Sequence, residues 1–470
     1  MKPALTRFPD WLLAGLCATL FYQDVPAQLA GIARTPPSWL RTGTIYEIFP
    51  RDFSPAGNLK GVTAQLDRLE DLGVTILWTM PIHPIGEKSR KGELGSPYAI
   101  KDYYAVDSNY GTLQDYQQLV GEAHKRGMKV IMDLVADHTA WDSVMMQHPE
   151  FYKHGPGGKI IPPMPDWTDV AALNYDSQEL CQYMTAMLKY WVQTCDVDGF
   201  RCDAAAMVPT AFWEQVRSEL TRVKPDIMML AEASKPELLT NAFDIDYSWP
   251  LLSTLKEVLT KNAPASNIRH SWEESYARFP KAALHMRIAD DHDEDRAITH
   301  YGLQGTVAAS ALIFTLDGVP LIYNGMEVGD STPSDGEALF DKRNIAWDAT
   351  THPELRDFYH DLIQLRRQYP AFSNSGVDWR HNSDENRLTT FLRADAKDEL
   401  LVAINFSARP LTAKVDLKNV DGFVPLKFPG GRSSDDGPLP VLKLDRYEWR
   451  IYHRESKPAT SVASLAPDRN

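Results

Sequence analysis

The sequence predicts an α/β protein: a (β/α)8 TIM barrel with a small subdomain after its third strand and a C-terminal antiparallel β-sandwich domain. Short apolar runs alternate with amphipathic stretches through the first 374 residues, and the runs number eight. Eight parallel strands close a barrel whose interior is filled by side chains. Beyond about residue 374 the pattern changes to period-two alternation, as antiparallel strands require. A chain of 470 residues has room for both parts.

At the N-terminus, Lys2 and Arg7 precede an apolar run from Trp11 to Tyr22, and Val25-Pro26-Ala27 then offers a small-residue cleavage site. Residues 1–27 therefore read as an export signal, which implies a secreted or periplasmic protein. Were the segment a buried N-terminal helix instead, the protein would be cytoplasmic. No later run is long and apolar enough to span a membrane. Of the remaining cysteines, Cys181 and Cys195 lie at the two ends of an apparent helix, too far apart to bridge. With Cys202 they read as small buried residues.

The barrel is expected over 28–374, with strands at Thr44–Phe49, Val74–Met80, Lys129–Val135, Gly199–Asp203, Ile227–Ala231, Phe243–Tyr247, Leu284–Ile288 and Pro320–Tyr323. Leu113, Tyr116, Leu119, Val120 and Ala123 recur at helical spacing before Gly127, which stops the helix. The stretch 139–176 holds Gly155-Pro156-Gly157-Gly158 and Pro162-Pro163-Met164-Pro165 and reads as the small inserted subdomain. Alternating runs at Arg387–Arg393, Glu399–Phe406, Leu411–Leu417 and Tyr447–His453 define a β domain over 375–455. The Ser/Ala/Pro-rich 456–470 reads as a disordered tail.

Net charge is −14 and no Lys/Arg stripe appears, which argues against nucleic acid or an anionic membrane as partner. Twelve Trp and 19 Tyr would suit a groove that stacks on sugars, although most such rings serve packing.

Barrel active sites lie where strands end at the C-terminal face. Four strand ends carry ionisable groups: Asp133…Asp137-His138, Gly199-Phe-Arg201-Cys-Asp203, Ala231-Glu232-Ala233 and Asp290-Asp291-His292-Asp293. Any one of these is more simply a cap or an ion-pair partner. Acidic groups on four converging strands point to chemistry instead. Glycoside cleavage needs a proton donor at the departing oxygen and a group opposite to capture the oxocarbenium-like centre. Arg201, two residues before Asp203 on the same strand face, would keep Asp203 ionised as a nucleophile. Glu232 has no adjacent cation in sequence and is the better proton donor.

In this order the four segments resemble the signature regions of glycoside hydrolase family 13, the α-amylase family. Ser96-Pro-Tyr98…Asp102-Tyr-Tyr104, Leu321-Ile-Tyr-Asn-Gly-Met-Glu327 and Leu401–Ser407 extend the resemblance from about residue 40 to 455. It implies a retaining hydrolase of α-1,4-glucosidic bonds in starch-type glucans or maltooligosaccharides, acting through a covalent glycosyl-enzyme. Asp203 would be the nucleophile, Glu232 the acid/base, and Asp293 the third carboxylate. Arg201, His138 and His292 would contact the sugar or the carboxyls, and Tyr98 would stack under the sugar. Trp167, in Asp166-Trp-Thr-Asp169, reads equally as a stacking platform or a packed core residue.

The sequence departs from the pattern at Asp137 and Asp291, where Asn is usual, and at Ala206 and Met207 in place of Lys and His. Asp137 keeps a carboxylate suited to Ca²⁺, but Met207 stands where a His carbonyl usually helps bind it. No cofactor is therefore expected to be required. A transglycosylase or isomerase of the same family is the alternative reading, and a catalytically silent sugar-binding relative the next. A metal-dependent barrel enzyme finds no support, since no His-x-x-x-His pairing occurs.

Overall fold

The computed structural model describes residues 31–334, 336–347, 352–374, 376–427 and 438–456. The proposed signal (1–27) and all but the first residue of the proposed tail lie outside these residues. Ten strands precede the C-terminal part: β1 (Ile45–Ile48), β2 (Ile76–Thr79), β3 (Lys129–Val135), β4 (His138–Ala140), β5 (Val170–Ala172), β6 (Gly199–Asp203), β7 (Met228–Ala231), β8 (Ile245–Tyr247), β9 (His285–Arg287) and β10 (Val319–Tyr323). Eight close a barrel in the order β1-β10-β9-β8-β7-β6-β3-β2, and every neighbouring pair is parallel. All eight expected strands are present, with β3 and β6 at the expected bounds.

Side-chain alternation divides the core in two. Ile45, Ile76, Trp78, Ile131, Met228, Leu230 and Leu321 cluster in the barrel interior. Their strand neighbours Tyr46, Leu77, Met132, Phe200 and Met229 pack outward in a second cluster, against the helices. The inward positions change character along the strands: Ile45 is followed by Glu47, Ile131 by Asp133, and Met228 and Leu230 by Glu232. The N-terminal end of the barrel is therefore apolar and its C-terminal end ionisable. On β6, Gly199 is required by proximity, because a Cβ there would lie 2.4 Å from the Met228 carbonyl oxygen.

Helix Leu113–Lys125 buries Tyr116, Leu119, Val120 and Ala123, as its periodicity demands. It begins with a capping box between Thr112 and Asp115 and stops before Gly127, whose φ is 72°. Cys195 and Cys202 are buried thiols, while Cys181 is half-buried and differs in that respect from the expectation.

The excursion after β3 holds the antiparallel pair β4–β5 and two short 3-10 turns, at Val144–Gln147 and Pro149–Phe151. It is tied to the loop after β2. The Asp142 carboxylate accepts hydrogen bonds from the backbone N–H of Glu87 and Lys88, and Lys91 pairs with Asp169 at 2.9 Å.

The C-terminal part adds β11 (Asp378–Trp379), β12 (Leu388–Ala394), β13 (Asp398–Asn405), β14 (Leu411–Lys414), β15 (Val424–Pro425), β16 (Val441–Leu444) and β17 (Trp449–Glu455). β11-β12-β13-β17-β15 form one sheet and β14-β16 another. Leu388, Leu401 and Tyr452 of the first share a core with Leu411, Leu442 and Leu444 of the second. β11, β15 and β16 were not expected from sequence; β11 and β15 have two residues each, too short for alternation to register, whereas the four-residue β16 alternates exposed and buried positions as its partner β14 does.

One buried arginine joins this part to the barrel, and a second braces the barrel segment that it contacts. Arg393 on β12 donates to the carbonyls of Thr315 and Phe372. Arg366 donates to those of Phe314, Leu316 and Gly318 at 2.9, 3.2 and 2.7 Å. Replacing Arg366 with Met should leave these carbonyls unpaired and cost about 2–4 kcal/mol. A urea midpoint that did not move would contradict this bracing role of Arg366.

Candidate active site

Arg201 stands at the centre of the C-terminal face, 0% exposed. It is the register partner of Asp133 on β3. Its Nη1 donates to Asp133 Oδ1 and Oδ2 at 2.9 and 3.2 Å and to Asp203 Oδ1 at 2.8 Å. Nη2 lies 3.1 Å from Glu232 Oε2, an ion pair without hydrogen-bond alignment. Nε donates to the Tyr247 hydroxyl at 3.3 Å, and the guanidinium lies over the rings of Trp78, Tyr98 and Tyr247. Those walls exclude water, and so strengthen each charge interaction inside them.

Asp203 ends β6, and the next residue, Ala204, is left-handed at φ 42°, ψ 40°. This turn aims the Ala204 N–H at Glu232 Oε2, 2.7 Å away. Glu232 follows β7 with its side chain 20% exposed, while that of Asp203 is 12% exposed. Burial raises the Asp203 carboxyl to about 6 against the pull of Arg201, helped by Asp137 and Asp133. Burial raises Glu232 further, to about 8, and Asp203 and Asp293 add to the effect. Arg201 holds Asp203 with an aligned hydrogen bond and Glu232 without one. The order of the two groups follows from that difference.

Asp293 is the most open of the three expected carboxyls, its side chain 40% exposed and its Oδ2 3.3 Å from His292 Nε2. Its backbone N–H donates to Asp291 Oδ1 at 3.1 Å. Asp291 is fully buried, and burial followed by the Asp293 charge pushes its carboxyl well above the usual range. His292 lies between Glu47 (Nδ1 to Oε1, 2.5 Å) and the Tyr98 hydroxyl (Nε2, 2.7 Å). Burial would lower its proton affinity, but Asp293 and Glu47 overcome this and raise it to about 10.

Tyr98 is held more firmly than its expected stacking role required. Its hydroxyl donates to Asp133 Oδ2 at 3.2 Å, and its ring stacks on His292 at 5.4 Å. His138 Nε2 is hydrogen-bonded to the Tyr98 carbonyl at 3.1 Å, while Nδ1 lies 3.0 Å from Asp137 Oδ1 as an ion pair without hydrogen-bond alignment. Against the lowering effect of burial, Asp137 and Asp203 help raise it to about 9. Trp167 is half-buried, edge-on to His138 at 5.6 Å.

Among the described residues, Asp137, His138 and Asp203 present ligand atoms within 4.8 Å of one another. Both Asp137 carboxylate oxygens are buried without hydrogen-bond partners. This set does not fit calcium, which takes 6–8 oxygen ligands. One of its members is an imidazole, and another is already bound by Arg201.

Sequence reasoning missed Glu47, Trp78 and Tyr247, and named Asp133 without a role. Strand parity could have found Glu47 and Asp133, because each lies two residues beyond an inward-facing Ile.

Residues 37–154 and 165–401 match the family model for the alpha-amylase catalytic domain. The chain is 28% identical over 410 residues to an alpha-amylase of Haloarcula japonica, an alignment covering 82% of this chain and 58% of that relative. It is 26% identical to a cyclomaltodextrinase of Geobacillus thermopakistaniensis, over 96% of this chain and 79% of the relative. Among solved structures it is similar to an alpha-amylase from Lactobacillus plantarum, at 32% identity and TM-score 0.78, covering 88% of this chain and 99% of that one. A maltogenic alpha-amylase from Thermotoga neapolitana gives the same TM-score at 27% identity, covering 89% and 100%. The chain belongs to the alpha-amylase family, glycoside hydrolase family 13.

A rate that needs Asp203 ionised and Glu232 protonated should give a bell-shaped kcat/KM against pH. Its acid limb should lie near 6 and its alkaline limb near 8, as macroscopic values of the coupled pair. A profile flat from pH 5 to pH 9 would contradict this division of protons.

Proposed function

We propose that this chain hydrolyses α-1,4-glucosidic bonds in starch-type glucans or maltooligosaccharides with retention of configuration. The observation that carries the reading is the guanidinium of Arg201 in contact with Asp203 through one terminal nitrogen and with Glu232 through the other. Two carboxyls drawn to one small cation suit the short spacing of retaining enzymes, ~5–5.5 Å, better than the wider gap of inverting ones.

In the proposed reaction, Asp203 Oδ attacks the anomeric carbon while protonated Glu232 gives its proton to the departing glycosidic oxygen. The C–O bond breaks and a glycosyl ester forms on Asp203. Glu232, now a carboxylate, takes a proton from water, whose oxygen displaces Asp203. Two inversions restore the original configuration. Asp293 binds ring hydroxyls, and Tyr98 forms the wall beneath the sugar.

Asp203→Asn should lower kcat by roughly 10⁴-fold or more without loss of fold. Glu232→Gln should lower it by about 10²–10⁴-fold and remove the alkaline limb. Full activity in Asp203→Asn would remove the mechanism. Products from maltoheptaose decide between hydrolysis and transfer: only shorter oligosaccharides are expected, and longer ones would sink pure hydrolysis. A cyclodextrin belongs in the same series, because one relative is named a cyclomaltodextrinase.

No metal enters this scheme. A calcium chelator is expected to leave both kcat and the melting temperature unchanged, and a fall in either would contradict the reading. Export rests on the N-terminal sequence alone, and one relative is named an intracellular maltogenic amylase of Bacillus subtilis. Finding the processed chain outside the cytoplasm would support the signal, while an intact N-terminus inside the cell would remove it.

A further inference from the structure

Glu47 is fully buried on β1, and it shares the inward face with Ile45. Its Oε1 lies 2.5 Å from His292 Nδ1, and its Oε2 has no hydrogen-bond partner. No step of the proposed reaction uses it. A carboxyl group is costly to bury, so its placement needs an explanation.

The explanation lies in the shape of an imidazole. Trp78 meets the His292 ring edge-on at 5.7 Å, and Tyr98 stacks on it at 5.4 Å. Such apolar walls fix the plane of the ring but not its sense. Rotating the ring by 180° about its bond to Cβ exchanges Nδ1 with Cδ2 and Nε2 with Cε1, and the walls would accept either shape. The contacts of the two ring nitrogens distinguish them, and the one at Nδ1 is Nδ1–H donating to Glu47. With that bond made, Nε2 faces the Tyr98 hydroxyl at 2.7 Å and Asp293 Oδ2 at 3.3 Å. In the flipped ring a C–H would stand where Nε2 now meets both groups.

We propose that Glu47 is a positioning residue that sets the orientation of His292, and through it the placement of Asp293 and Tyr98 against the sugar. The charged and titratable groups facing the ring are Glu47 from β1, Asp133 from β3, Arg201 from β6, Tyr98 from the loop after β2, and Asp291 and Asp293 beside it. Of these, Glu47 is the group at Nδ1. The effect on turnover rests on the α-glucan reading above; the orientation of the ring does not.

The test compares the full-length chain with Glu47→Leu and Glu47→Gln. Each is measured for thermal melting, for kcat and KM on maltoheptaose, and for the downfield proton resonance of a hydrogen-bonded imidazole Nδ1–H. His292→Gln assigns that resonance. Glu47→Leu should abolish it and lower kcat/KM by about 10–100-fold, as loss of an orienting partner does elsewhere. The loss should fall mainly on kcat, since a misplaced Asp293 binds the distorted ring less well than the relaxed one. Glu47→Gln keeps an amide oxygen as acceptor, so it should restore most of the rate with the resonance shifted.

Persistence of the resonance in Glu47→Leu would overturn the proposal. So would a melting temperature that falls while kcat/KM stays within twofold, or a Gln variant as impaired as the Leu variant. Should Glu47→Leu fail to fold, an unmoved resonance in Glu47→Gln overturns the proposal and a shifted one supports it. If the unaltered chain turns over no α-glucan, the substrate reading fails, and the resonance still decides whether Glu47 holds the ring.

Discussion

A guanidinium keeps its proton at any pH a folded protein survives, so burying Arg201 commits its neighbours to supply negative charge. Asp133 answers from β3, Asp203 from the end of its own strand and Glu232 from β7. The cation can satisfy one carboxylate well, share a second and only lean on a third. This inequality arranges the site. Asp133 and Asp203 have aligned hydrogen bonds, whereas Glu232 has only an unaligned contact and one backbone N–H. Burial acts on all three, and it raises Glu232 above Asp203 because less opposes it there.

Around this core, carboxyls outnumber cations. Glu47, Asp133, Asp137, Asp203, Glu232, Asp291 and Asp293 face Arg201, His138 and His292. A buried group of one charge sign is unfavourable unless some members hold protons. The raised affinities of His138 and His292 and the upward shifts of Glu232 and Asp291 are the local responses. Asp137 therefore does more than replace an amide. It adds a carboxyl beside His138 and helps to hold that histidine in its protonated form, whereas Asp291 is itself pushed well above the usual range and accepts the Asp293 N–H.

Much of this was legible in the sequence. The barrel strands are short, mostly apolar runs buried on both faces, which is the easiest strand signal to read, and in the C-terminal part β14 alternates as a half-buried strand does. The three carboxyls stood out because ionisable groups at strand ends are conspicuous against apolar runs. Less visible were contacts between distant elements. His138 looked available to a sugar, but the carbonyl of Tyr98, 40 residues earlier in the chain, occupies its Nε2. Glu47 lay inside an ordinary strand, IYEI, and only its partner His292, 245 residues away, gives it meaning. Local pattern carries no information about such pairings. The short strands β11 and β15 were missed for a different reason, since two residues cannot display a period.

The central claim is that Asp203 and Glu232 work as nucleophile and acid/base on one face of an α-linked sugar. The most direct measurement is the anomeric form of the first product. Proton NMR of maltoheptaose digestion, recorded before mutarotation equilibrates the new reducing ends, reports that form without any assumption about residues. The account predicts that the freshly released reducing ends are α. Reducing ends that appear first as β would mean a single displacement by water, and Asp203 could not then be the nucleophile.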